Sequence, residues 1–156
     1  MEQAVLIRPA AGGDAGAIAA LLRGLGWFRH LNEEPHEATE RRVAAHLALC
    51  AADRSHAVFV AEANGVVVGY AAVHWLPYLF LPGPEGYVSE LFVRADARGR
   101  GVGRRLLDRL VAEARSRGCS RLMLVNNRER ESYRRGFYRK QGWREREGIA
   151  NFVLEL

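Results

Sequence analysis

The sequence predicts an α/β fold in which a mixed, largely antiparallel central sheet carries helices on both faces. Three observations predict it. Two β-rich runs, residues 58–61 and 66–73, flank Asn64-Gly65, the dipeptide that most favours a tight hairpin. Apolar residues recur at helical spacing in three places: Ile18, Leu21, Leu22 and Leu25; Val43, Leu47 and Cys50; and Val102, Leu106, Leu107, Leu110, Val111 and Ala114. A further apolar run, residues 88–93, reads as a buried strand that passes through a loop with Gly99, Gly101 and Gly103 into the last of those helices.

In chain order, residues 4–8 alternate weakly and form a first strand stopped by Pro9. Asp14 can cap the helix carrying Ile18 and Leu21, and Gly24 or Gly26 ends it. Residues 27–31 (Trp-Phe-Arg-His-Leu) are apolar, between a glycine and the Glu33-Glu34-Pro35 break. The second helix covers residues 36–50, and the hairpin follows over residues 56–74. Pro77, Pro82 and Pro84 make residues 75–86 an irregular aromatic loop with Tyr78 and Phe80, open both to packing and to covering a substrate. After strand 88–93, a helix over residues 101–117 is capped by Gly118, and residues 121–125 form another buried strand. Residues 143–146 and 149–156 are expected to form a terminal hairpin.

The 156 residues, 49% hydrophobic and 26% charged, suit one domain over residues 1–156 with a sizeable core. No apolar run approaches the ~20 residues of a membrane span, and the start of the chain lacks a signal-peptide pattern, so a cytoplasmic protein without a membrane partner is expected. Cys50 and Cys119 are solitary and read as buried free thiols, and the five histidines lack ligand spacing, so no metal is assigned. Charge is unevenly divided. Residues 1–93 hold 6 Arg against 10 Asp/Glu, a net −4, whereas residues 94–156 hold 16 Arg and 1 Lys against 8 Asp/Glu, a net +9. The basic part is the part with the glycine loop.

A strand, glycines and a helix start make an anion site, because first-turn N–H groups lack partners in the helix and glycines let a phosphate approach them. Arg98, Arg100, Arg104 and Arg105 add charge there. The dinucleotide fingerprint fails, since Arg104 or Leu106 stands where its last glycine or alanine belongs, and the P-loop fails for want of a Lys-Ser/Thr pair. What remains is Arg98-x-x-Gly101-x-Gly103 after Glu90-Leu-Phe-Val93, followed downstream by Phe137-Tyr138-Arg-Lys-Gln-Gly142-Trp143. In this order the two motifs resemble those of the GNAT family of N-acetyltransferases, over roughly residues 56–146.

The resemblance implies a sheet of six to seven strands with splayed central strands, acetyl-CoA as co-substrate, and direct acetyl transfer to a primary amine. It places the coenzyme A pyrophosphate on Arg98, Gly99, Arg100, Gly101, Val102, Gly103 and Arg104, with the pantetheine arm along Phe92 and Val93 and a contact to Asn126 or Asn127. The spacing from these asparagines to Tyr138 is longer than the family's commonest. Glu90 becomes the candidate to bind the amine or take its proton, and Tyr138, on the helix that ends at Gly142, the candidate acid for the leaving thiolate, with Tyr133 as its rival. Trp27, Phe28, Tyr78 and Phe80 become candidate walls for the acceptor. The expected partner is a small-molecule amine, with a homodimer left open. Acetylation of a protein N-terminus or lysine is the alternative, and a basic RNA- or ribosome-associated module is the reading from another class; no nucleic-acid partner is expected on the main reading.

Overall fold

The computed structural model describes residues 4–156, so the first three residues of the domain expected over 1–156 fall outside them. Strand β1 (Val5–Pro9) pairs antiparallel with β2 (His56–Ala63), which turns through Asn64 and Gly65 into β3 (Val66–Leu76). Both turn residues hold positive φ, 51° and 76°, as a two-residue hairpin turn that matches the twist of its strands requires. Strand β4 (Glu85–Val93) pairs antiparallel with β3, and β5 (Arg121–Leu124) lies parallel to β4, giving the order β1-β2-β3-β4-β5.

Helices α1 (Ala15–Gly24), α2 (Arg29–Glu33) and α3 (His36–Ala52) precede β2. Ala15, Ile18 and Leu21 of α1 and Leu47 of α3 bury themselves against Val60, Val67 and Tyr70 of the sheet. Helix α4 (Val102–Ser116) covers the other face, where Leu106, Leu107 and Leu110 are completely buried, each stabilising the fold by about 1.5–3 kcal/mol. Gly69 lets the layers approach: a Cβ there would stand 3.0 Å from Phe92 O and 3.4 Å from Leu106. The completely buried Glu85 is ion-paired to Arg121, which ties the start of β4 to the start of β5.

The chain divides into two compact units, Met1–Leu124 and Val125–Leu156. In the second, α5 (Glu131–Arg134) is a single turn. Gly136 ends it at φ 66°, with the Phe137 N–H bonded to Ser132 O and the Gly136 N–H to Tyr133 O, both at 2.9 Å. Tyr138 therefore stands beyond a helix end and not within a continuous helix. A second turn, Arg139–Gln141, closes at Gly142 with φ 86° and a Trp143 N–H to Tyr138 O bond of 3.2 Å, so the cap expected at Gly142 is present.

Two further differences from the sequence reading concern strands and caps. Among the described residues the sheet has five strands and not six to seven, because residues 143–146 and 149–156 form no strand. Glu145 is held by ion pairs to Arg128 and Arg139, and Phe152, Val153, Leu154 and Leu156 are almost wholly exposed, so no strand partner satisfies this backbone. Asp14 does not cap α1 with its side chain; its carboxylate instead accepts two bonds from Arg8, at 2.8 and 2.9 Å, and one from the Ala11 N–H at 2.8 Å.

Candidate functional site

The β4–β5 ladder ends at Val88↔Leu124, yet β4 continues to Val93. Residues 89–93 thus pair only with β3 among the described residues, and no strand pairs with their other edge there. This is the opening between central strands that the resemblance implied. Arg98 Nε donates to Val93 O at 2.9 Å, which fixes the loop to the end of the strand.

Gly99 and Gly101 hold φ 74° and 75°, conformations that side chains other than glycine's resist. Gly101 is the residue before α4, and the Arg105 N–H bonds to Gly101 O at 3.0 Å. The N–H groups of Val102, Gly103 and Arg104 therefore precede the first acceptor of the helix and face outward at its positive end. A Cβ at Gly99 or Gly101 would meet no atom within 4 Å, so the space beside these two glycines is clear. Arg98, Arg100 and Arg104 are exposed around it, and the Arg104–Asp108 pair is a loose 3.9 Å. These residues fit a pyrophosphate.

A bulge lies between the Ala72↔Glu90 and Val73↔Val88 pairs, with Ser89 as the extra residue of β4. Glu90 and Phe92 then point to the face covered by α1 and α3, opposite Ala72 and Tyr70. Tyr70, 2% exposed, donates its hydroxyl hydrogen to Glu90 Oε1 at 2.8 Å. Burial, with the Glu90 charge and this bond, pushes the Tyr70 hydroxyl well above the usual phenol range, so it stays a donor. Trp27, Phe28 and Tyr70 all meet the Phe92 ring edge-on, at 5.6, 5.9 and 5.8 Å between centroids.

Tyr78 and Phe80 are not brought to this cluster. They follow the Leu76↔Glu85 rung, six residues from the Tyr70↔Phe92 rung and so roughly 20 Å along the sheet. Their loop is pinned to the turn after α4: Gly83 N–H and O both bond Ser120 Oγ, at 2.7 and 2.8 Å. The four aromatic walls expected together are thus two separate pairs.

In the second unit, Tyr138 packs edge-on against Phe137 and Trp143, and burial pushes its hydroxyl up to about 12. No hydrogen bond of that hydroxyl is found among the described residues, whereas Tyr133 donates to Glu145 at 3.0 Å. Arg128 foremost, then Tyr133 and Arg139, hold the Glu145 carboxyl below the usual range. Asn127 Oδ1 accepts the Glu129 N–H at 2.9 Å and Asn126 Oδ1 the Ser132 hydroxyl at 3.1 Å, so both asparagine oxygens serve the turn into α5.

Sequence reasoning missed Tyr70. It sits in an apolar run that reads as core, and only the β3–β4 register puts its hydroxyl beside Glu90. Cys50 and Cys119 are free, half-buried thiols, both pushed up by burial. Among the described residues no helix is long and apolar enough to cross a membrane, and no group of three or more His, Cys, Asp or Glu is placed to hold a metal.

Comparison with known proteins agrees with this geometry. Residues 23–143 match the Acetyltransferase (GNAT) family. The chain is 36% identical over 148 residues to glucosamine 6-phosphate N-acetyltransferase 1 of rice (Oryza sativa subsp. japonica), covering 88% of this chain and 87% of the relative. It is 31% identical over 161 residues to an aminoglycoside N(6')-acetyltransferase type 1 of Stenotrophomonas maltophilia, covering 100% and 97%. Among solved structures, a transcriptional regulator from Bacillus halodurans C-125 superposes with a TM-score of 0.85 at 22% identity over 98% of this chain and 100% of that one, which speaks to the fold. With its glycine loop, open strand edge and paired motifs, the chain belongs to the acetyltransferase (GNAT) family and is an acetyl-CoA-dependent N-acetyltransferase.

Proposed function

We propose that this enzyme transfers the acetyl group of acetyl-CoA directly to a primary amine on a small, cationic molecule. The observation that carries the reading is the Glu90 carboxylate, oriented by the buried Tyr70 hydroxyl and flanked by the Trp27–Phe28–Phe92 aromatic cluster. A carboxylate beside aromatic rings binds an ammonium group by charge and through the ring faces. Two relatives named above take a sugar amine or an aminoglycoside, which supports a small acceptor. The net −4 of residues 1–93 favours a cation.

Acetyl-CoA supplies the activated acyl group as a thioester. The amides of residues 99–104, with Arg98, Arg100 and Arg104, would hold its pyrophosphate, and the open edge at Phe92 and Val93 would bond its pantetheine arm as an added strand. A β4 N–H on that edge would face the thioester carbonyl and stabilise the oxyanion. Glu90 orients the ammonium and accepts its proton, freeing the lone pair for attack. Tyr138 takes the role that its motif carries in the family, donating to the departing sulfur. A phenol near 12 is a weaker acid than a thiol, about 8.5, so what Tyr138 gives the thiolate is chiefly a hydrogen bond.

The test is acetylation of a panel containing glucosamine 6-phosphate, spermidine, an aminoglycoside, free amino acids and peptides, read by release of the coenzyme A thiol. Small primary amines are expected to be acetylated, with Glu90→Gln slowing turnover. Activity confined to peptides, with no small amine accepted, would move the reading to a protein N-terminus or lysine.

A further inference from the structure

Beyond Glu90, on the same face of the sheet, lies a row of polar side chains that the transfer chemistry leaves unused. His74 of β3 has His56 of β2 and Tyr87 of β4 as its register partners, so three rings stand in line across three strands. The imidazoles stack at 5.2 Å with 27° between planes, and the Tyr87 ring centre is 6.5 Å from that of His74. All three side chains are half-buried. The bulge adds Ser89 to this face, between Tyr87 and Glu90. From Glu90 to Tyr87 is three residues of strand, roughly 10 Å, a span that one six-membered ring with its substituents covers.

The hydrogen bonds within the row decide what it can still take. Ser89 Oγ donates to Ala72 O at 3.5 Å, so the 3.1 Å contact with His74 has the Nε2–H as its donor. The Ser89 hydroxyl has then spent its hydrogen and one lone pair, and its remaining lone pair needs a donor. Burial first, and His56 second, hold His74 below the usual imidazole range against the opposing pull of Glu90, so the ring that donates to Ser89 is a neutral imidazole. The Tyr87 hydroxyl, for which no hydrogen bond is found among the described residues, can both donate and accept. A phosphate or carboxylate brings no hydrogen to the Ser89 lone pair, and a second ammonium would meet no carboxylate among these side chains. A hydroxyl suits both positions.

We propose that Ser89 and Tyr87 bind hydroxyl groups of the acceptor, so that the enzyme prefers a primary amine carried on an uncharged, polyhydroxylated body, with His74 as the positioning residue that fixes the Ser89 hydroxyl. This rests on the amine acetylation proposed above. Glu90 takes the ammonium at one end of the row, the Ser89 lone pair receives a hydroxyl hydrogen beside it, and Tyr87 bonds a second hydroxyl farther along. Such a site discriminates because an acceptor that covers these groups without matching them leaves them unpaired. His74 is itself held from behind: His56 stacks on it, Ser55 Oγ is 2.6 Å from His56 Nδ1, and the Ser55 N–H bonds Asp53 Oδ1 at 2.9 Å. A row that only packed the sheet would bear on every amine alike.

The experiment uses the full chain and two ring amines, glucosamine and cyclohexylamine, the second lacking the hydroxyls of the first. Each amine is compared between wild type and variant, so their unequal basicity cancels. Tyr87→Phe and Ser89→Ala are each expected to raise KM for glucosamine by roughly 10-fold and to leave KM for cyclohexylamine and acetyl-CoA unchanged. His74→Phe, which keeps a stacked ring without the donor, should match Ser89→Ala, and His74→Gln, which keeps a donor at that reach, should restore much of the loss. Equal changes on both amines, or none on glucosamine, overturn the proposal and leave amine transfer standing. So does a wild-type enzyme that acetylates cyclohexylamine or spermidine and not glucosamine, whereas inactivity on every amine overturns the reading on which the proposal rests. NMR signals of the His74 ring in the unaltered protein decide without any variant having to fold: with coenzyme A present, glucosamine must shift them and cyclohexylamine must not, and signals that glucosamine leaves unmoved overturn the proposal.

Discussion

At the scale of single residues, the function proposed above assigns roles to two phenol hydroxyls, and each can be tested by removing one oxygen. Tyr70 packs within the buried cluster and also donates to Glu90. Tyr70→Phe keeps the ring and leaves the half-buried carboxylate free to turn toward water. Turnover is then expected to fall about 10-fold, the equivalent of one hydrogen bond to a charged group, with KM for acetyl-CoA unchanged and the fold intact by thermal unfolding. Unaltered kcat would show that Glu90 needs no such orientation. Tyr138 is different, because its hydroxyl is raised to about 12 and has no hydrogen bond among the described residues, whereas Tyr133 is committed to Glu145. Tyr138→Phe should lower kcat by about 10², as removing one preorganised donor to a developing anion does, and should do so evenly between pH 6 and 9 because the phenol stays protonated throughout. Tyr133→Phe should instead lower stability, since the Glu145 ion cluster loses a member. The reverse pattern in the two variants would exchange their roles.

At the scale of elements, the loop between β4 and α4 decides whether a phosphate can be held. Gly101→Ala forces a Cβ into left-handed backbone and costs about 1–2 kcal/mol of stability. The same Cβ would stand in space that is clear to 4 Å beside the residue that opens α4, where the proposed function puts the pyrophosphate, so calorimetry should show acetyl-CoA binding weakened by more than the stability loss alone explains. Full affinity in a folded Gly101→Ala protein would place the pyrophosphate elsewhere. This loop, the Asn64-Gly65 hairpin and the α4 stripe were all legible in the sequence, because each depends on local spacing and on glycines with a conformational reason to be there. Register was not legible. A two-residue turn pairs Ala63 with Val66, and continuing that count would set His56 against Val73. The irregularity between Ala61 and Glu62 shifts the ladder by one and sets His56 against His74. The bulge at Ser89 does the same on β4 and brings Ser89 onto the face of Glu90. Side-chain period 2 makes one such shift reverse every face beyond it, so the Tyr70–Glu90 contact and the His56–His74 pair could only come from coordinates. Likewise Gly136 reads as an ordinary glycine in an Arg-rich segment until its φ of 66° shows it ending α5.

At the scale of the whole molecule, charge and apolar exposure are both unevenly spread. The net +9 of residues 94–156 lies on the segment that carries the glycine loop, so on the function proposed above KM for acetyl-CoA should rise with added salt while kcat changes little. Apolar exposure is concentrated at the end of the chain, where Phe152, Val153, Leu154 and Leu156 are 91%, 83%, 82% and 116% exposed. The alternation of Phe152, Leu154 and Leu156 is what made this segment read as a strand, but a strand is stabilised by partners and cross-strand packing, and here it has neither. Since the segment buries almost nothing, removing residues 149–156 forfeits almost no apolar burial, at about 25 cal/mol per Å² of surface covered. The unfolding midpoint of the shortened chain should therefore match that of the full chain within about 1–2 °C, with acetyl transfer retained and aggregation reduced, as scanning calorimetry and light scattering would record. A midpoint lower by several degrees at high protein concentration, recovering toward the full-length value on dilution of both, would show instead that these side chains are covered by a second copy of the chain.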